Sequence, residues 1–124
     1  MDENKGVIFL VEEDEVVRNL CVRILVEAGF AVNYFVSHPA LRARFCLVKT
    51  MPDLVIANWG DGKGLVLAEW LKKERDFSAT ILMTGRMEEL DAKGFLLLRK
   101  PISPRDLVSA VRNKLEKHRP VSWE

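Results

Sequence analysis

Five short apolar runs divide the chain: VIFLV at 7–11, FAVNYF at 30–35, LVIA at 54–57, TILMT at 80–84 and FLLL at 95–98. Four of them are nearly unbroken, which suits strands covered on both faces. Segments of helical period lie between them. Val16, Val17, Leu20, Cys21, Ile24, Leu25 and Ala28 trace one wide stripe, and Gly29 follows as a stop. Ser37 or His38 before Pro39 opens a second helix, and Leu65, Leu67, Ala68 and Leu71 mark a third. Ser103, Pro104 and Asp106 start a last one, with Leu107, Val108, Val111 and Leu115 on one face. Strand and helix alternate throughout. That alternation predicts an α/β domain with a parallel sheet and helices on both faces. The segment GRMEELDAKG at 85–94 is short for a crossover helix, so the fourth helix is expected to be stunted or missing.

With 124 residues, a single domain over 1–124 is expected, with its core at about 6–117 and a tail at 118–124. A formal net charge of +1 gives no reason to expect nucleic acid or an acidic membrane surface as partner. The loose basic group Arg112, Lys114, Lys117, His118 and Arg119 reads as a solvated helix end. Cys21 and Cys46 form no CxxC pair and, with His38 and His118, show no metal-ligand spacing. Both cysteines sit among apolar neighbours and are expected in the core. The polar start MDENKG is no secretory signal, no run is long enough to span a bilayer, and a reducing cytoplasm is the expected setting.

Ligands of such sheets bind at the carboxyl ends of the strands. There stand Glu12, Glu13 and Asp14 after the first run, Asn58 after the third, Thr84 after the fourth, and Lys100 with Pro101 after the fifth. Acid clusters invite a hard divalent cation, while a hydroxyl and a lysine suit phosphoryl oxygens. Asn58 is the odd member, because chemistry at that place would ordinarily want a carboxylate.

The set resembles the receiver domain of two-component response regulators over about residues 6–117. The likeness rests on LVEEDEVVR at 10–18, PDLVIAN at 52–58, ILMTG at 81–85 and KP at 100–101, in that order. It implies a flavodoxin-like, doubly wound sheet of five parallel strands in order 2-1-3-4-5. It also implies that Glu12 and Glu13 match a magnesium-binding acidic pair and that Thr84 and Lys100 match the residues holding phosphoryl oxygens. The Lys100–Pro101 peptide would be cis, and Asn58 falls on the phosphoacceptor aspartate. An amide has no anionic oxygen to act as nucleophile. The acidic pair is Glu-Glu, longer by a methylene each than the usual aspartates, so magnesium binding is expected to be weak or absent. The loop from Asn58 to Gly64 is shorter than usual by about two residues and the segment from Thr84 to Lys100 by roughly six. Leu97 takes the place of the aromatic that moves in many receivers.

These departures point to a phosphorylation-independent receiver-like domain, a pseudo-receiver with no catalysis of its own. It would act on signalling proteins such as a kinase or an output domain, with a homodimer left open. Two rivals remain: a working receiver phosphorylated at Asp61, and a flavodoxin-like small-molecule binder. Against the latter, EEDE after the first strand would repel a phosphate. Each residue also has a plain structural role. Lys100 would pair with Glu12 or Glu13, Thr84 would satisfy a strand end, Glu12 and Glu13 would cap the first helix, and Asn58 would hydrogen-bond structurally. Trp59 and Trp70 are candidate surface anchors, with half-buried packing favoured for Trp70. Trp123 in the tail says little.

Overall fold

The computed structural model describes residues 5–118, except for the side chain of His118. Residues 1–4 and the tail from 119 on, with Arg119 and Trp123, lie outside the described residues. The strands are β1 (Val7–Val11), β2 (Ala31–Phe35), β3 (Leu54–Asn58), β4 (Thr80–Thr84) and β5 (Leu96–Arg99). They form one parallel sheet in the order β2-β1-β3-β4-β5. The helices are α1 (Glu15–Glu27), α2 (His38–Leu47), α3 (Lys63–Arg75) and α4 (Pro104–His118). No helix forms between β4 and β5. The crossover at 85–95 is loop with one turn at 93–94, so the expected loss of the fourth helix is complete.

The central strands β1, β3 and β4 are the buried ones, and their unbroken apolar runs are the reason. The edges are wetter: Asn33 and Tyr34 of β2 and Leu96 and Arg99 of β5 reach solvent. Phe45 of α2, fully buried, meets Phe9, Trp70 and Phe77 edge-on at ring separations of 5.2–6.4 Å. Such pairs add about 0.5–1.5 kcal/mol each beyond burial. Trp70 is half-buried in this cluster, with Arg42 stacked on it at 4.3 Å.

Local signals set the helix ends. Asp14 caps α1 by accepting from the Val17 N–H at 3.1 Å, and Ser37 caps α2 by accepting from the Ala40 N–H at 3.2 Å. Ser103 does the same for α4 through the Asp106 N–H at 3.0 Å. Gly29 ends α1 with φ 104°, where a side chain would be strained.

Four expectations need correction. Val16 is 76% and Leu20 47% exposed, so the α1 stripe is narrower than its apolar residues imply. Arg18 is buried instead, because its guanidinium donates to the Glu12 carbonyl oxygen at 3.0 Å. Cys46 is exposed on α2, while Cys21 is buried in the core. Trp59 is buried and is no surface anchor; its N–H is held by the Met83 carbonyl oxygen at 2.6 Å. The α1 cap is Asp14, neither Glu12 nor Glu13.

Candidate functional site

Parallel strands bring β1, β3 and the end of β5 to the same edge of the sheet, and four side chains meet there. Lys100 Nζ donates to Glu12 Oε1 at 2.7 Å and to Asn58 Oδ1 at 3.0 Å. Asn58 Nδ2 donates to Glu13 Oε1 at 3.1 Å. The chemistry of the neighbours fixes the amide's orientation. An ammonium can only donate, so it takes the oxygen; a carboxylate only accepts, so it takes the NH2. A carboxylate at this place would meet Lys100 equally well, but it would face Glu13 with no proton to offer.

Glu12 is almost wholly buried, and both its oxygens are engaged, Oε2 by the Asp14 N–H at 3.0 Å. Burial of a charge needs such pairing. Glu13 is more open and has Lys63 at 3.8 Å from Oε2. The Lys100–Pro101 peptide is cis.

Thr84 and Asp61 are held elsewhere. Thr84, buried, accepts the Arg86 N–H at 3.0 Å through Oγ1 and so shapes the turn after β4. Asp61 lies in the 3-10 turn at 60–62 with left-handed backbone, φ 57°, and its carboxylate is bound by the Arg86 guanidinium. Arg86 also grips Glu88 at 2.9 Å. Its two carboxylate partners raise its pKa further, Glu88 foremost. Arg99 closes the same loop by donating to the carbonyl oxygens of Arg86 and Glu88 at 2.7 and 3.2 Å. These two arginines tie down a crossover that has no helix.

Sequence reasoning missed His38. It is buried at the start of α2, and its Nε2 lies 2.8 Å from the Asn58 carbonyl oxygen. A carbonyl only accepts, so Nε2 carries the proton. Nδ1 then faces Glu13 Oε2 at 3.9 Å. Nothing in the spacing of His38 signals this, since α2 reaches the site only through the fold. Gly64 fixes the other side of Asn58. A Cβ there would stand 2.3 Å from the Asn58 carbonyl oxygen, so the close approach of α3 to β3 requires glycine.

Neither models of known sequence families nor curated protein sequences match this chain. Solved structures do match. The receiver domain protein (CheY-like) from Methanospirillum hungatei JF-1 aligns with a TM-score of 0.78 at 23% identity, over 90% of this chain and 94% of its own. The receiver domain of a signal transduction histidine kinase from Syntrophus aciditrophicus gives 0.80 at 24% identity, over 96% of each chain. Full-length FixJ from B. japonicum gives 0.81 at 22% identity, over 95% of this chain and 61% of that one. The fold is the receiver fold. The likeness is one of fold, and the site has to be judged on its own residues.

On a receiver fold, magnesium would be sought at Glu12 and Glu13. The donors present do not fit it. Glu12 spends both oxygens on protein donors, Asn58 Oδ1 faces Lys100, and Glu13 Oε1 faces the Asn58 amide. Among the described residues, no three of His, Cys, Asp and Glu gather as a metal-binding group. Magnesium wants near-ideal octahedral oxygens at about 2.0–2.1 Å, and here an ammonium already stands among them.

Proposed function

We propose that this chain is a receiver-type signalling domain that works without phosphorylation, by binding other proteins. The observation that carries the reading is the doubly engaged amide of Asn58, which accepts from Lys100 and donates to Glu13. Acyl phosphate formation needs a carboxylate oxygen as nucleophile, and Asn58 has none. It also needs a cation to neutralise the incoming charge. Weak or absent magnesium binding is supported by the two engaged oxygens of Glu12 and by Glu13 Oε1, which accepts from Asn58. Lys100, free to clamp phosphoryl oxygens in a working site, serves here as the internal counter-ion of Glu12.

Asp61, 81% exposed in its side chain, is the candidate for an alternative acceptor. Its pairing with Arg86 argues against that role. The partner class is a kinase or an output domain. The Syntrophus aciditrophicus neighbour belongs to a histidine kinase, and FixJ extends beyond the matched part, so receivers of this shape occur beside such modules.

The test is intact-mass spectrometry after incubation with acetyl phosphate and millimolar magnesium. The expected result is an unchanged mass, with no shift in thermal midpoint. A stoichiometric gain of one phosphoryl group, mapped to Asp61 or any other acid at this edge, would overturn the reading.

A further inference from the structure

Strand β5 closes the sheet on one side, and no described residue pairs with its outer edge. Exposed edges are normally blunted by charge, proline or bulges on the strand itself. This one reads Leu96, Leu97, Leu98 before the first charge at Arg99. Leu96 is 39% exposed, and no crossover helix covers the strand. The charges lie beside it, on the flanking elements. On one side a cleft is lined by Phe95, Lys93, Lys72 and Lys73, with Glu69 the one acid. On the other side a cleft runs along Phe95, Leu96 and Leu97 to Asn113, Lys114 and Lys117. Phe95 is shared by both clefts, with Lys72 Nζ 5.9 Å from its ring centre. Partial burial, and next the neighbouring Lys117, hold the Lys114 ammonium below its ordinary range.

We infer that the β5 edge is a docking site for an extended, acidic segment of a partner protein, which adds to the sheet as a sixth strand. An added strand satisfies the open backbone groups of β5, and its alternate apolar side chains cover the leucines. Acidic residues along it meet the two lysine rails. A second copy of this chain fits poorly, because strand-to-strand pairing would set lysine rail against lysine rail. This deepens the proposed function by naming the binding surface, and it rests on the reading that the domain acts through proteins.

The probe is an acetylated octapeptide of alternating glutamate and valine, titrated into the 15N-labelled full chain, with a lysine–valine octapeptide as control. The acidic peptide is expected to shift and protect the amides of Leu96–Arg99, more strongly at low salt, while the basic one does not. Lys72→Glu with Lys114→Glu, one change per rail, should weaken binding by about tenfold at an unchanged thermal midpoint. Equal response to both peptides would overturn the inference. So would shifts confined to the Asn58 site or the α2–α3 side, or concentration-dependent self-association of the free chain through β5. A repeat with acetyl phosphate and magnesium separates the two proposals. Edge binding that needs the phosphodonor sinks phosphorylation independence but keeps the surface; no edge binding in either condition sinks the surface alone.

Discussion

Asn58→Asp restores the carboxylate that a receiver site ordinarily has, yet the structure predicts that it destabilises this chain. Three interactions change. The new carboxylate attracts Lys100, whose Nζ lies 3.0 Å from Oδ1. It repels Glu13, whose Oε1 lies 3.1 Å from Nδ2. It also repels Glu12, which shares Lys100 at 2.7 Å. At an effective dielectric constant of about 20, the first two are each about 5 kcal/mol and of opposite sign. Glu12, taken at about 6 Å, then adds a repulsion of about 3 kcal/mol that nothing offsets. The lost amide-to-carboxylate hydrogen bond removes about 1.5–3 kcal/mol more. Glu13 is 39% exposed in its side chain, so solvent screens its share and the side chain can turn away. A net loss of about 1–3 kcal/mol is the expected outcome, or roughly 4–12 °C in thermal midpoint for a domain of this size.

The sign with pH is definite. A carboxyl crowded by two others has its pKa raised in the folded state. The folded variant then holds its proton where the unfolded chain releases it, so stability falls as pH rises through that window. The deficit against the parent chain should therefore be largest at pH 7.5 and shrink towards pH 5. Urea unfolding of both proteins at the two pH values, without magnesium, measures it. A variant as stable as the parent at pH 7.5, or one whose deficit grows on acidification, would refute the reasoning.

Three further outcomes are expected. Lys100→Met leaves the buried carboxylate of Glu12 without its cation and should cost about 3–5 kcal/mol in denaturant unfolding, far more than a surface lysine; a loss under 1 kcal/mol would show that the pair is incidental. Burial, reinforced by the nearby charge of Glu12, pushes the Cys21 thiol up from 9.0 to about 11, so a thiol reagent at pH 8 should titrate Cys46 and spare Cys21 until the chain unfolds. For the same reason stability should decline as pH rises above about 9, where the unfolded thiol ionises first. Arg86→Ala frees Asp61, Glu88 and the loop they hold, so amide exchange should quicken across 85–94 while the global unfolding midpoint stays put.

The architecture was legible because the central strands are buried on both faces and their apolar runs are continuous, and because the crossover at 85–94 was too short to hide a helix. The edges were harder to read. FLLL looks as buried as LVIA, yet Leu96 is exposed and the strand begins one residue later, because no crossover helix covers it. Polarity also misled the reading of α1. Arg18 is charged but buried, since one end of its guanidinium donates to the Glu12 and Glu13 carbonyl oxygens that the folded chain brings near. At the site, Glu12, Asn58 and Lys100 could be read as strand-end residues. His38 and Lys63 could not, because they arrive from the first turns of α2 and α3.

The amide at position 58 is best understood through charge balance. Glu12 is matched by Lys100, and Glu13 has Lys63 beside it. Asn58 stands between the two pairs and joins them without adding charge, because one side chain supplies both an acceptor and a donor. A carboxylate there would leave one negative charge over, which a bound cation or an incoming phosphoryl group with its metal would have to engage. With the amide, the cluster counts two carboxylates against two ammonium groups. Asp61, the acid weighed as a substitute acceptor, is matched in turn by Arg86. The imbalance lies along β5, where Lys72, Lys73, Lys93, Lys114 and Lys117 flank an apolar strand with Glu69 the one acid lining either cleft. The proposed independence of phosphorylation rests on the paired charges around Asn58, and the proposed docking at β5 rests on the lysines beside that strand.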